Sequence, residues 1–146
     1  MTEIRKATLN DLPVLVPLFD AYRVFYEQDS DEEGAHQFIQ DRIQKGESTI
    51  FIAWRDGKAI GFTQLYPTFS SVSMKKMYIL NDLYVINEMR GLGIGKDILN
   101  YCQQWAKEKG YKGLSLETAV DNQAQKLYER EGWSTDEGFL HYFWSV

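Results

Sequence analysis

Residues 90–110 read RGLGIGKDILNYCQQWAKEKG, and this stretch decides the fold. Its first part has glycine at every second position, with an arginine in front and a lysine behind. Its second part has apolar side chains at helical spacing. Glycine has no Cβ, so a ligand can approach main-chain N–H groups closely. Since the start of a helix adds unpaired N–H groups and partial positive charge, the stretch predicts a phosphate-binding loop that opens a helix.

Three glycine-rich phosphate motifs compete for this stretch. The P-loop pattern G-x-x-x-x-G-K-[ST], aligned on Gly95 and Lys96, needs glycine where Arg90 stands and a hydroxyl where Asp97 stands. The dinucleotide pattern G-x-G-x-x-G needs glycine at position 96. The pattern [RQ]-x-x-G-x-[GA] is satisfied by Arg90, Gly93 and Gly95. The third pattern is therefore the one that fits.

The flanking sequence predicts a mixed α/β sheet. Strand composition marks residues 2–8, 48–55, 58–66, 75–86, 112–118 and the C-terminal FLHYFWSV at 139–146. Helical spacing marks residues 10–26, the segment after 31, the segment after the glycines, and 122–131. A hairpin turn is expected at Asp56-Gly57 and a loop around 67–73. We expect one domain over residues 1–146, with a mostly antiparallel sheet of about six to seven strands and about four helices.

Composition narrows the class of protein. The chain has 146 residues, of which 44% are hydrophobic, and it has no apolar run long enough for a membrane span. Its net charge of −5 disfavours nucleic acid as a partner. The single cysteine, Cys102, and the absence of an N-terminal apolar segment favour the cytoplasm. His36 and His141 lack ligand spacing, so no metal site is expected.

The motif of Arg90, Gly93 and Gly95 resembles the pyrophosphate-binding motif of the GNAT superfamily of N-acetyltransferases. The similarity covers nearly the whole chain, is strongest over LNDLYVINEMRGLGIGKDIL at residues 80–99, and is closest to the diamine acetyltransferases. It implies that acetyl-CoA binds this loop through its pyrophosphate. The residues implied are Arg90, Gly91, Leu92, Gly93, Ile94, Gly95 and Lys96.

The strand before the loop has a second implied role. The resemblance implies that main-chain groups of Leu83, Tyr84 and Val85 bind the pantetheine arm of acetyl-CoA, as an added strand would. A bulge in this strand would splay it from the next strand and open the slot.

A second motif lies in DNQAQKLYEREGW at residues 121–133. The positions that match the family helix N-x-x-A-x-x-L-Y-x-x-x-G are Ala124, Leu127, Tyr128 and Gly132. The match assigns Tyr128 as general acid for the leaving thiolate, which suits a phenol with pKa near 10. A core aromatic is the alternative. The family's asparagine position holds Asp121, with Asn122 one place later; either residue is a candidate for CoA binding or for capping the helix.

Acetylation of an amine requires a base, because an alkylammonium has a pKa near 10.4 and must lose a proton before it attacks. The diamine enzymes that the chain resembles have a glutamate before an aspartate on the fourth strand, and this chain has Asn81-Asp82. Asp82 is the first candidate base. It is structural if it faces the far side of the sheet. Glu117, on the neighbouring strand, is the second candidate.

The acceptor site is expected beside the segment YEQDSDEE at residues 26–33. Its carboxylates suit a polyamine or a lysine-like substrate, or alternatively are solvated charge at a helix start. Tyr26, Asn81 and Glu117 are the predicted substrate-binding residues.

Together these features predict an acetyl-CoA-dependent N-acetyltransferase that acts on a primary amine of a small molecule by direct attack. The alternatives are acetylation of a protein lysine or N-terminus, a non-catalytic acyl-CoA-binding sensor, and glycines that only form a turn. The aromatic C-terminal strand fits ordinary core packing or a homodimer contact.

Overall fold

The computed structural model describes all residues, Met1–Val146. The strands are β1 (Glu3–Lys6), β2 (Thr49–Arg55), β3 (Lys58–Ser70), β4 (Lys75–Val85) and β5 (Leu114–Ser115). The helices are α1 (Leu12–Phe25), α2 (Glu32–Gln44), α3 (Ile94–Lys109) and α4 (Gln125–Arg130), with short 3-10 turns at Leu9–Asp11 and Asn87–Met89. None of these helices combines the length and the apolar character that crossing a bilayer requires.

The five strands form one sheet in the order β1-β2-β3-β4-β5. The first four are antiparallel neighbours, and β5 lies parallel to β4 because α3 crosses over between them. α1 and α2 cover one face of the sheet, and α3 covers the other. The predicted fold class, a mixed and mostly antiparallel α/β sheet, is confirmed. The sheet has five strands rather than six to seven.

The missing strand is the C-terminal one. FLHYFWSV forms no strand, and its apolar side chains are at least 81% exposed. β5 is also shorter than the predicted 112–118, and α4 shorter than 122–131. Aromatic and β-branched composition reports strand propensity alone, whereas a strand also needs a neighbour for its N–H and C=O groups. β5 has only two residues, so its edge is too short for the C-terminal segment to pair with it.

β3 is longer than predicted and runs through the expected loop at 67–73. β2 pairs with β3 only as far as Leu65, so Pro67 lies where β3 has a single neighbour, β4. Proline has no N–H to donate and is tolerated in a strand at such an edge. The hairpin between β3 and β4 therefore turns later, after Ser70.

β4 contains one extra residue that reorients its side chains. Gln64 of β3 pairs with Asp82 and the next residue, Leu65, pairs with Leu80, so Asn81 is bulged out. Because side chains alternate along a strand, the bulge moves later residues to the opposite face. Leu80 packs toward α3, whereas Tyr84 packs toward α1 and α2.

The bulge also marks where the sheet opens. β5 pairs with Tyr78 and Ile79 of β4 and with no later residue. The edge of β4 from Leu80 to Val85 is therefore unpaired on the β5 side, which is the slot expected beside a bulged strand.

Gly61 permits the close approach of β3 to β4, and we expect its replacement by alanine to be destabilising. A Cβ at Gly61 would lie 2.7 Å from the main-chain oxygen of Tyr84. Because main chain must move to relieve this contact, Gly61→Ala should lower the free energy of unfolding by about 1–3 kcal/mol, measured by urea denaturation. Gly113→Ala is the control, since its Cβ would meet nothing within 4 Å. Equal stability of Gly61→Ala and wild type would contradict this contact.

Candidate active site

The loop between β4 and α3 exposes main chain, as the glycine spacing predicts. Gly91 and Gly93 have φ of 78° and 83°, the left-handed region that glycine adopts without strain. A Cβ at either position would meet nothing within 4 Å, so the backbone angle and not crowding requires glycine here. Gly93 is the N-cap of α3 and offers no side-chain cap. The first N–H groups of α3 therefore remain available to an anion.

Gly95 has a different role from the two glycines before it. A Cβ at Gly95 would lie 3.4 Å from Cδ2 of Leu127, so α4 packs directly on the first turn of α3. Ile94, the residue between the glycines, is buried and anchors that turn in the core. The loop is thus fixed from beneath while its outer surface stays open.

A cavity of about 620 Å³ lies between the loop and α4. Its lining includes the loop glycines and three cationic residues, Arg90, Lys96 and Arg130. Lys96 Nζ lies 3.7 Å from a carboxylate oxygen of Glu131. A helix start with several cations around an open cavity fits a diphosphate. Sequence reasoning did not single out Arg130, although it follows Leu127 by three residues, which places both on one helix face.

The open edge of β4 offers main-chain groups beside this cavity. The main-chain oxygen of Tyr84 points at Gly61 of β3. Since main-chain groups of successive strand residues point to alternate sides, those of Leu83 and Val85 point to the open edge. Of the three residues predicted for the pantetheine arm, the first and third thus present main chain to the slot. Tyr84 instead contributes its side chain on the α1 face.

Arg90 folds back onto β4 instead of extending into the loop. Its Nε donates to the main-chain oxygen of Val85 at 2.9 Å. Its guanidinium lies over the rings of Phe25 and Tyr84, at 5.0 and 5.4 Å from their centroids. A ligand that pairs with Val85 at the open edge must therefore displace Arg90.

Asp82 is a buried carboxylate on the α1/α2 face of the sheet. Its side chain accepts from Gln64 Nε2 at 2.6 Å and from Asn81 Nδ2 at 2.7 Å. Burial raises the pKa of the Asp82 carboxyl, while the amide hydrogen bonds from Asn81 and Gln64 act in the opposite direction. A carboxylate with a raised pKa is a stronger base than an exposed aspartate.

Tyr22 and Tyr26 form an aromatic pair near Asp82, and Tyr128 lies on α4. The Tyr22 hydroxyl donates to the main-chain oxygen of Asn81 at 3.3 Å, and the ring of Tyr26 lies 5.0 Å from that of Tyr22. Burial and the nearby Asp82 charge raise the pKa of Tyr22. Burial raises the pKa of Tyr128, and a charge on Tyr26 would raise it further. Tyr128 therefore keeps its proton at neutral pH, as a general acid must.

Other predicted site residues lie outside this cluster or have local structural roles. Glu117 is exposed, and its carboxylate lies 3.3 Å from His141 Nδ1, so it is not a neighbour of Asp82. Asn122 Oδ1 accepts from the N–H of Ala124 at 2.9 Å and stabilises the turn before α4. Asp121 and Leu92 have exposed side chains.

Cys102 lies in the core, and the side chains that could bind a metal ion are dispersed. Cys102 is fully buried on the inner face of α3, and burial raises the pKa of its thiol to about 12. It is therefore a core residue that no substrate reaches. No three His, Cys, Asp or Glu side chains lie close enough together to hold a metal ion.

Comparison with known families identifies the family of the chain. Residues 15–133 match the model of the acetyltransferase (GNAT) family. The chain belongs to this family. It is an acetyl-CoA-dependent N-acetyltransferase, the class of enzyme that the glycine motif predicts, and its mixed α/β sheet is the GNAT fold.

Similar proteins agree with this assignment. The uncharacterized N-acetyltransferase YhfO of Bacillus subtilis (strain 168) is 48% identical over 98% of this chain and 97% of its own length. A probable acetyltransferase with a known crystal structure has 39% sequence identity to this chain, and the two structures superpose with a TM-score of 0.94 over 99% of this chain and 97% of the other. An aminoglycoside acetyltransferase from a soil metagenome, in complex with sisomicin, is 21% identical, with a TM-score of 0.85 over 99% of this chain and 96% of its own. This last likeness shows the fold alone.

Proposed function

We propose that this GNAT enzyme transfers the acetyl group of acetyl-CoA to a primary amine of a small molecule, such as a polyamine, an amino acid or a similar metabolite. One observation carries the proposal: the buried carboxylate of Asp82 lies at the bulge of β4, next to Tyr22, where the edge of β4 opens toward the glycine loop. In this proposal Asp82 supplies the base, and Tyr128, on the helix α4 that packs on Gly95, supplies the acid.

The loop and the open edge hold the substrate that carries the acetyl group. Main-chain N–H groups of residues 91–96, with Lys96 and Arg130, bind the phosphates. Main-chain groups of Leu83 and Val85 orient the arm. When bound, acetyl-CoA supplies an activated acetyl thioester. These residues fit it because the cavity is open, cationic and lined by glycine main chain.

Two side chains move the protons. Asp82 accepts a proton from the ammonium group, so that the neutral amine attacks directly. Tyr128 donates its hydroxyl proton to the departing thiolate sulfur. No covalent enzyme intermediate is needed, and the buried Cys102 is not available to form one.

The acidic segment between α1 and α2 supports a cationic acceptor of the diamine type. Asp20 accepts from Ser30 and from the N–H of Asp31, and Asp31 caps α2, so these two carboxylates are structural. Glu27 and Asp29 remain exposed and can attract a polyamine. Tyr26, on the same segment, is half exposed, and its ring packs on that of Tyr22. That a fold neighbour is named an aminoglycoside acetyltransferase agrees with a small-molecule acceptor.

An amine panel tests the acceptor class. Free thiol release from acetyl-CoA is followed with diamines, polyamines, amino acids, an aminoglycoside and a lysine peptide. Turnover with small amines, fastest with diamines or polyamines, is the expected result. Turnover with the peptide alone would favour a protein acceptor instead, and tight acetyl-CoA binding without any turnover would contradict the proposed reaction.

Replacing Tyr128 by phenylalanine tests the acid. Since the phenol proton goes to the thiolate only as the thiolate leaves, Tyr128→Phe should lower kcat by about 100-fold and change the Kd for acetyl-CoA by less than about twofold. Tyr101→Phe, in α3 with its ring against Phe51 of β2, is the control and should keep the wild-type kcat. A Tyr128→Phe enzyme as fast as this control would remove Tyr128 from the mechanism.

We further propose that residues 1–146 form one cytoplasmic domain and that it pairs as a homodimer through the C-terminal aromatic segment, residues 139–146. The exposed side chains of that segment support a contact between copies. Sedimentation velocity should report about twice the monomer mass; a monomer at all concentrations would contradict the pairing.

A further inference from the structure

Gln64 is a buried polar residue in the middle of an apolar strand. Its side chain is fully buried on β3, between Phe62 and Leu65, which both lie in the core. Its Nε2 donates to Asp82 Oδ2 at 2.6 Å, whereas its Oε1 has no hydrogen-bond partner. A buried acceptor without a donor costs on the order of 1–3 kcal/mol. Stability alone thus does not explain a glutamine at this position.

The two ends of the Gln64 carboxamide match the two protonation states of Asp82. An ionised carboxylate only accepts hydrogen bonds, so it needs the NH2 end of the amide. A protonated carboxyl has an O–H to donate, and Oε1 accepts it once the amide turns over. An apolar residue at position 64 would match neither state.

We propose that Gln64 is a positioning residue for Asp82, which pairs with the carboxyl group both before and after it takes the proton of the substrate amine. The inference rests on the proposed function, in which Asp82 is the base. The N–H bond of the ammonium breaks, the Asp82 O–H bond forms, and the amine keeps the electron pair. Gln64 exchanges a donated hydrogen bond for an accepted one, so the buried carboxyl keeps a partner throughout.

The surroundings of Asp82 contain other groups that affect its titration. Tyr22 faces it from α1, and Tyr66 faces it from β3. Arg42 of α2 lies near Tyr66, and burial raises the pKa of Tyr66 to about 12. Tyr22 and Tyr66 are neutral in the range where a carboxyl titrates, so hydrogen bonds from the Asn81 and Gln64 amides and from the Tyr22 hydroxyl determine how far burial raises the pKa of Asp82.

The test compares Gln64→Met with Thr63→Val over a pH series. Thr63 is the matched control because its hydroxyl donates to the main-chain oxygen of Asp82 at 2.7 Å and not to the carboxylate. The ionised carboxylate loses a stronger bond than the protonated one in Gln64→Met. The acid limb of kcat/KM should therefore move to higher pH in Gln64→Met. Below this limb, kcat/KM should fall on the order of tenfold relative to wild type, and above it kcat/KM should return to the wild-type value. Thr63→Val should keep the wild-type limb.

Three outcomes separate the failure of this inference from that of the proposed function. A limb that persists in Asp82→Asn shows that Asp82 is not the base, and the proposed mechanism fails. A limb that requires Asp82 but stays in place in Gln64→Met overturns the role of Gln64 alone. If no amine is turned over, the carbon-13 NMR titration of the Asp82 carboxyl decides. It should move to higher pH in Gln64→Met, or in Gln64→Leu if the first variant does not fold, and an unchanged titration overturns the inference.

Discussion

Asp82→Asn is expected to lower kcat/KM for the amine by at least about 100-fold at neutral pH, with a Kd for acetyl-CoA within about twofold of wild type. Asparagine keeps the size of the side chain and removes its basicity. The variant should fold, because the Gln64 amide can turn and present its unpartnered Oε1 to the new NH2 group. Steady-state kinetics with the best amine of the panel, together with calorimetry for acetyl-CoA, measures both quantities.

The pH dependence of kcat/KM for wild type and Asp82→Asn gives a second result, whose direction is predicted. Burial raises the pKa of Asp82, so the acid limb of wild-type kcat/KM should lie above the ordinary aspartate value near 3.9. Activity is lost as the pH falls through that limb, because the base becomes protonated. A raised folded-state pKa also means that the stability contributed by this carboxyl is present at low pH and lost as the pH rises through it. A near-wild-type rate in Asp82→Asn, with its acid limb intact, would contradict the role of Asp82.

Gly93→Ala is expected to weaken acetyl-CoA binding by about tenfold or more. Gly93 has φ of 83°, and an L-residue with this backbone costs roughly 1–2 kcal/mol. The free loop can relax away from this conformation, so binding must restore it and its N–H alignment at that cost. Gly57→Ala is the matched control, since Gly57 has φ of 75° and an equally open Cβ position in the distant β2–β3 hairpin.

Calorimetry of the two variants separates local strain from ligand binding. Gly57→Ala should lose more free energy of unfolding than Gly93→Ala, whose free loop relaxes, and Gly93→Ala alone should lose affinity. Equal affinities of the two variants for acetyl-CoA would show that the backbone conformation at Gly93 does not hold the ligand.

The sequence predicts those parts of the site that depend only on residues close together in the chain. The alternation of glycine at 91, 93 and 95 before an amphipathic stretch requires only the neighbouring residues, and loop and helix are found together in the structure. The family resemblance, and not local spacing, supplied Leu83, Tyr84 and Val85, and the pairing of β4 with β3 leaves main chain of only the first and third at the open edge.

The features that the sequence did not predict depend on pairing between residues far apart in the chain. The face that Asp82 occupies depends on the bulge at Asn81, which exists only in the register between β3 and β4. The absence of a C-terminal strand depends on the short edge of β5 and not on the composition of residues 139–146. Gln64 had a visible signal, since it is a polar residue within an apolar strand, but its partner is 18 residues away.

The measurement that tests the central claim most directly is the change of amide signals when acetyl-CoA is added to the nitrogen-15-labelled protein. Main-chain N–H groups that hold a diphosphate must change their chemical shifts. We predict the largest changes at residues 91–96, with smaller ones at Leu83 and Val85. Loop signals that stay in place while saturating acetyl-CoA moves other signals, or a spectrum that does not change at all, would contradict the account.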